Sequence, residues 1–136
     1  MKRFQLIEHT ADTGVIAYGR SLAEAFANAA YGLFSIITEL DQVREAKSRP
    51  VAVTAGDVEG LLFNWLNELI YVFEVEHLLF KRFDVNEFTE HNLKAKCWGE
   101  TYDASRHQLK LGVKSATYYM LEVDENKNRV QVIFDV

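Results

Sequence analysis

Val58, Leu61, Leu62, Trp65, Leu66, Leu69, Ile70 and Phe73 recur every three or four residues, and this stripe constrains the fold more than any other stretch of the chain. Such spacing lines one face of a helix, and that face must be covered before the helix is stable. Asp57, immediately before it, supplies an N-cap carboxylate. A second stripe runs through Leu22, Ala25, Phe26, Ala29, Ala30, Leu33, Phe34 and Ile37. Ser21 with Glu24 three residues on forms a capping-box pattern ahead of it, which predicts a helix over 21–38 whose alanines allow close packing on a sheet. From Leu78 onward the period drops to two: 78–85, 88–102, 108–113, 116–123 and 129–135 read as strands, with Glu125-Asn126-Lys127-Asn128 a hairpin turn. Residues 4–9 alternate in the same way, and Val15-Ile16-Ala17-Tyr18 reads as a short strand after a turn at Asp12-Thr13-Gly14. Residues 41–49 lack periodicity, Pro50 excludes a central strand at its own position, and Val51-Ala52-Val53 is a short strand candidate. Helices and strands do not alternate regularly. The expected fold is therefore α+β, with two helices packed on one face of a mainly antiparallel sheet, in a single domain spanning 1–136.

A chain of 136 residues buries about two thirds of its unfolded surface and needs no staple. Its 49% hydrophobic and 26% charged residues are the balance of a soluble globular protein. Apolar runs are too short to span a membrane, and the N-terminal residues lack the core of a signal peptide, so a cytoplasmic location is expected. The one cysteine, Cys97, excludes an internal disulfide and a cysteine-rich zinc site, and beside Trp98 it reads as a small buried filler rather than a reactive thiol. A net charge of -5 argues against direct nucleic-acid binding and favours a basic protein partner or a cation. No glycine-rich phosphate loop, nucleophile elbow or Walker lysine is present, so hydrolase or kinase chemistry has no visible machinery. The aromatic residues fall mostly on the apolar faces and read as core.

Four short segments hold the polar groups that folding could gather: His9-Thr10-Ala11-Asp12-Thr13-Gly14, Gly99-Glu100-Thr101-Tyr102-Asp103, Lys114-Ser115-Ala116-Thr117-Tyr118 and Phe134-Asp135-Val136. Asp12 fits an Asx turn that binds its own backbone, and equally a displayed carboxylate. If the last strand pairs beside the first, Asp12, Asp135 and the free carboxylate of Val136 come together. Such a cluster repels itself unless protons or a hard cation neutralise it, and oxygen ligands suit Ca²⁺ or Mg²⁺ rather than zinc. Glu100 and Asp103 fit strand-edge polarity and a turn former as well as a site. Lys114 fits a solvated lysine, a counter-charge to the acidic cluster or a phosphate contact. His9 either orients Asp12 or simply packs, and His77, His91 and His107 show no metal-ligand spacing.

In order and at this chain length, the HTADxG opening, the GExxD and KxxTY motifs and the FDV ending resemble the archease family. The likeness extends through Leu61-Leu62-Phe63-Asn64-Trp65-Leu66. It implies a small cytosolic protein, itself not a catalyst, that assists the tRNA-splicing RNA ligase joining a 3′-phosphate or 2′,3′-cyclic phosphate end to a 5′-hydroxyl end. The assistance consists of speeding guanylylation of the ligase's histidine so that it turns over repeatedly, and contact with nucleic acid is only indirect. The same resemblance implies that Asp12, Asp135 and Val136 hold a divalent cation, Ca²⁺, Mg²⁺ or Mn²⁺, with Lys114 as companion and His9, Glu100 and Asp103 in support. Where the family commonly has histidine after its KxxTY segment, this chain has Tyr119. Two other classes compete: a chaperone-like adaptor whose carboxylates only fix the chain ends, and a metal-dependent enzyme acting on a small phosphorylated substrate.

Overall fold

In the computed structural model, which describes residues 2–9 and 12–136 apart from the side chains of Glu8 and His9, the two stripes become α1 (Leu22–Ile37) and α2 (Val58–Glu76). Each begins at a side-chain cap. Ser21 Oγ accepts from the Glu24 N–H at 3.1 Å, but the Glu24 carboxylate accepts from the Arg20 N–H at 2.9 Å, so the return half of the capping box lands one residue early. Asp57 Oδ1 accepts from the Gly60 N–H at 2.7 Å. The second helix ends at His77, which adopts the left-handed conformation (φ 59°) and donates its N–H to the Phe73 carbonyl.

Among the described residues there are eight strands: β1 (Phe4–His9), β2 (Asp12–Tyr18), β3 (Lys47–Thr54, reaching back into the stretch read as aperiodic), β4 (Leu78–Phe88), β5 (Asn92–Thr101), β6 (Ser115–Ala116), β7 (Glu122–Asp124) and β8 (Arg129–Asp135). Every pairing is antiparallel, and the fold is α+β with two helices as expected. The strands form two sheets, however, not one: β1-β2-β8-β6 with β7 also on β8, and β3-β5-β4. Each sheet has its own apolar face, and α1 packs against β2 and β4 while α2 packs against β3 and β6, so each helix contacts both sheets. Wide apolar stripes make this feasible. In α1, Phe26, Ala29, Ala30, Leu33 and Phe34 are fully buried, and in α2 so are Leu61, Leu62, Trp65, Leu66 and Leu69. The indole N–H of Trp65 donates to the Phe26 carbonyl at 3.0 Å, joining the helices within the core.

Several strand expectations need correction. Asp12-Thr13-Gly14 is not a turn but the start of β2. Residues 88–102 break at Thr89–His91, where Thr89 Oγ1 accepts from the N–H groups of His91 and Asn92. Residues 108–113 form no strand beyond one bridge between Leu109 and Thr38. Their backbone groups serve α1 instead, the Lys110 N–H donating to the Ile37 carbonyl and the Gln108 carbonyl accepting from the Thr38 hydroxyl. The predicted strand 116–123 is interrupted. Ser115 and Glu122 are seven apart while their partners Asp135 and Gln131 are four apart, so three residues loop out along β8. Pro50 lies in β3, an edge strand, where its missing N–H costs no ladder bond.

Candidate functional site

Pairing puts three of the four nominated segments at one end of the larger sheet. His9 stands opposite Asp12, and Thr13 opposite Phe134, so the β2–β8 register carried one residue on brings Asp12 opposite Asp135. Ser115 flanks Asp135 on the other side. Directly paired residues share a face. Phe134 is buried with Val132 and Val130 toward the helices, so Asp12, Asp135 and Ser115 occupy the outer face in one row across β2, β8 and β6. Gly14 explains how the strands come together there. A Cβ on it would sit 2.4 Å from the Val132 carbonyl oxygen and 2.9 Å from Ile133 Cδ1, so only glycine lets β8 lie against β2 behind the row.

Lys114 is exposed, and its backbone N–H donates to the Asp135 carbonyl at 2.8 Å, tying it to the same corner. Asp135 is exposed, Asp12 half-buried, and Val136 follows at 44% exposure. The His9 side chain, and Thr10 and Ala11 of the first motif, lie outside the described residues. Carboxylates directly across an antiparallel pair have Cβ atoms about 5 Å apart and repel. The donors here are all oxygens: two carboxylates and a hydroxyl in line. That set fits a hard cation that keeps several waters, as Mg²⁺ does, better than a fully protein-ligated ion. Among the described residues no group of three or more His, Cys, Asp or Glu side chains is placed to hold a metal.

Glu100 and Asp103 do not join this row. Glu100, from a segment expected to be exposed, is 8% exposed and belongs to the smaller sheet. Its carboxylate accepts from the Arg44 N–H at 2.8 Å, from His107 Nε2 at 2.9 Å and from the Arg106 guanidinium. Burial pushes the Glu100 carboxyl up, but these three donors outweigh it and hold it below the ordinary glutamate value. The Asp103 N–H donates to His107 Nδ1 at 2.9 Å, which leaves the ring proton on Nε2 facing Glu100. Asp103 Oδ1 accepts from the hydroxyl and N–H of Ser105, and these bonds lower its carboxyl. This cluster staples the loop after α1 to the loop that leads from β5 toward Lys114.

Tyr118, Tyr119 and Met120 form the loop between β6 and β7, and each is more than half exposed. Met120 takes a left-handed backbone (φ 54°), uncommon for a residue with a side chain. Tyr118 stacks on Phe63 of α2 with ring centroids 4.1 Å apart. Trp98 departs from the expectation that aromatics lie in the core: it stands half-buried on the outer face of the smaller sheet, its N–H donating to Asp84 and the Arg82 guanidinium 5.2 Å from its ring. Ser115 and Asn67 were not singled out from the sequence. Ser115 enters the row only through register, and Asn67, a half-buried polar residue beside the α2 stripe, only through its bonds to Ala116. No described helix is long and apolar enough to cross a membrane.

The fold and the corner together define a small α+β protein whose polar groups gather at the end of a sheet rather than in a deep cleft. The Archease protein family (MTH1598/TM1083) matches residues 4–136, and the chain belongs to that family. It is 38% identical over 135 residues to the protein archease of Sulfurisphaera tokodaii, covering 98% of this chain and 96% of that one. The solution structure of Methanobacterium thermoautotrophicum protein 1598 superposes with a TM-score of 0.81 at 33% identity, covering all of both chains. A crystal structure from Thermotoga maritima, described as an archease and possible chaperone, shares the fold with a TM-score of 0.56 at 19% identity, over 97% of this chain and 96% of that one.

Proposed function

We propose that this protein is a non-catalytic accessory factor of the tRNA-splicing RNA ligase, acting through the corner formed by Asp12, Asp135 and Lys114. It promotes guanylylation of the ligase's histidine and thereby multiple turnover in 3′-phosphate/5′-hydroxyl joining. One observation carries the reading: the register that sets Asp12 opposite Asp135, with Lys114 tied to the Asp135 backbone, puts both acid groups and the lysine at an exposed strand end. The chain's place in the archease family supports this reading, and the reaction itself is part of the proposal.

Phosphoryl transfer needs charge placed around the moving group more than it needs covalent help, and a partner can provide that charge in trans. Asp12 and Asp135, with the terminal carboxylate of Val136, would hold the divalent cation, Ca²⁺, Mg²⁺ or Mn²⁺, which when bound supplies positive charge beside the nucleotide phosphates. Lys114, held beside Asp135 through its backbone N–H, would offer an ammonium group to a phosphate oxygen. The net charge of -5 complements a positively charged RNA-binding surface, which raises the encounter rate and makes it salt-sensitive. The direct test is guanylylation of the cognate ligase with labelled GTP. Faster label incorporation with this protein, weakening as salt rises, is expected. Unchanged incorporation at low salt contradicts the proposal.

The second reading is a chaperone-like adaptor, favoured by the exposed Tyr118-Tyr119-Met120 loop and by the description of the Thermotoga protein as a possible chaperone. In that case Asp12 and Asp135 matter for stability alone, and their asparagine variants still bind the partner.

A further inference from the structure

The Asn67 side chain of α2 meets the backbone of Ala116 on both of its hydrogen-bonding groups. The Ala116 N–H donates to Asn67 Oδ1 at 2.8 Å, and Asn67 Nδ2 donates to the Ala116 carbonyl at 3.4 Å. The carboxamide thus does what the peptide of a neighbouring strand would do. It closes the outer edge of β6, a strand of only two residues that β8 alone pairs with on its other side. One turn earlier on the same helix face, Phe63 stacks on Tyr118, with 14° between the rings.

The spacing of these two contacts is matched on both partners. Four helical residues rise about 6 Å, and two extended residues span about 6.7 Å, so Phe63 and Asn67 meet Tyr118 and Ala116 in step. Lys114, before these contacts, and Thr117, between them, bond to the sheet instead. The Lys114 N–H donates to the Asp135 carbonyl at 2.8 Å, and the Thr117 N–H and hydroxyl donate to the Ile133 carbonyl at 3.0 and 2.8 Å. Residues 114–118 are therefore clamped between β8 and α2, although only two of them are formally a strand.

We propose that Asn67 is a positioning residue, which by holding Ala116 fixes Lys114 and Ser115 beside Asp135. No other side chain of similar size makes both bonds. Aspartate keeps the acceptor and loses the donor, leucine keeps the volume and loses both, and glutamine is one methylene too long for the gap. The inference rests on the reading of the Asp12–Asp135–Lys114 corner as the functional site, and it adds that α2, not the sheet alone, sets the lysine.

The test compares the wild-type protein with Asn67→Leu and Asn67→Asp, each first shown folded by its thermal melt. Amide hydrogen exchange reads the clamp. In Asn67→Leu, exchange at both Ala116 and Lys114 rises about tenfold while core amides of α2 such as Leu66 are unchanged; in Asn67→Asp, Ala116 keeps most of its protection because its acceptor remains. Ligase stimulation reads the consequence. Asn67→Leu lowers maximal stimulation about tenfold with little change in the half-saturating concentration, and adding Lys114→Ala to it costs about nothing further, because both changes act through the placement of the same lysine. Unchanged protection at Lys114 when that at Ala116 is lost overturns the inference, as do independent, multiplying effects of Asn67→Leu and Lys114→Ala. A wild-type protein that stimulates no ligase defeats the activator reading, and the exchange measurement still decides whether Asn67 fixes Lys114.

Discussion

Asp12 on β2 and Asp135 on β8 stand one residue beyond the antiparallel Thr13–Phe134 pair, a register that sets them opposite each other on the outer side of the sheet, past the buried Phe134. Two carboxylates in that relationship weaken the pairing of the strands that carry them, by about 0.5 kcal/mol. A cation or a basic partner at this corner would relieve that repulsion.

Removing either charge therefore separates stability from function. Asp12→Asn and Asp135→Asn are expected to leave the metal-free protein as stable as the wild type or about 0.5 kcal/mol more stable, and to abolish any rise in melting temperature with added Mg²⁺ or Mn²⁺. Thermal melts with and without the cation check this. A clear loss of metal-free stability favours the adaptor reading, in which these carboxylates only fix the strand ends.

The Glu100 cluster predicts an acid-labile fold. Glu100→Ala leaves the Arg106 guanidinium and the Arg44 N–H without their acceptor in a mostly buried site, at a cost of about 3 kcal/mol. The Glu100 carboxyl lies below its ordinary value in the folded protein. Its stabilisation is therefore complete above the unfolded-state value and lost as pH falls through the lower folded-state value. Denaturant midpoints followed from neutral pH down through the carboxylate range should drop more steeply for the wild type than for Glu100→Gln. Parallel curves would show that the cluster does not govern acid stability.

Gly14→Ala is expected to destabilise the protein by about 2 kcal/mol, since its Cβ would meet backbone at Val132 and not merely a movable side chain. The same change pushes β8 from β2 behind the carboxylate row. Cation-induced stabilisation should fall along with the melting temperature, whereas an alanine at the open Gly112 position, with nothing within 4 Å, should alter neither.

Cys97 is fully buried, and burial pushes its thiol up to about 12. A thiol reagent at neutral pH should label it only as fast as the protein unfolds, so labelling rates should follow denaturant. Rapid labelling of the native protein would show that β5 opens locally.

Much of this was legible in the residues and some was not, for physical reasons. Both helices and their caps could be read because Ser21 and Asp57 bond locally and the stripes repeat many times. The meeting of the first and last segments could be anticipated, but not that the last strand pairs with β2 rather than with β1, nor its register, which depends on close approach at Gly14. Division into two sheets was hidden, because alternation reports that a strand has a buried face and says nothing about which helix covers it. Residues 108–113 alternate like a strand, yet α1 offers their backbone better partners at Ile37 and Thr38. Glu100 looked like a surface acid because its donors, Arg44, Arg106 and His107, reach it only through tertiary folding.

The account rests on the corner acting in trans on a ligase, and multiple-turnover joining of a 3′-phosphate RNA to a 5′-hydroxyl RNA by the cognate ligase, with GTP and Mn²⁺, measures that directly. Added wild-type protein should raise turnover strongly and Asp135→Asn should remove the effect while the variant stays folded. Equal stimulation by the two proteins, or none by the wild type, would contradict it.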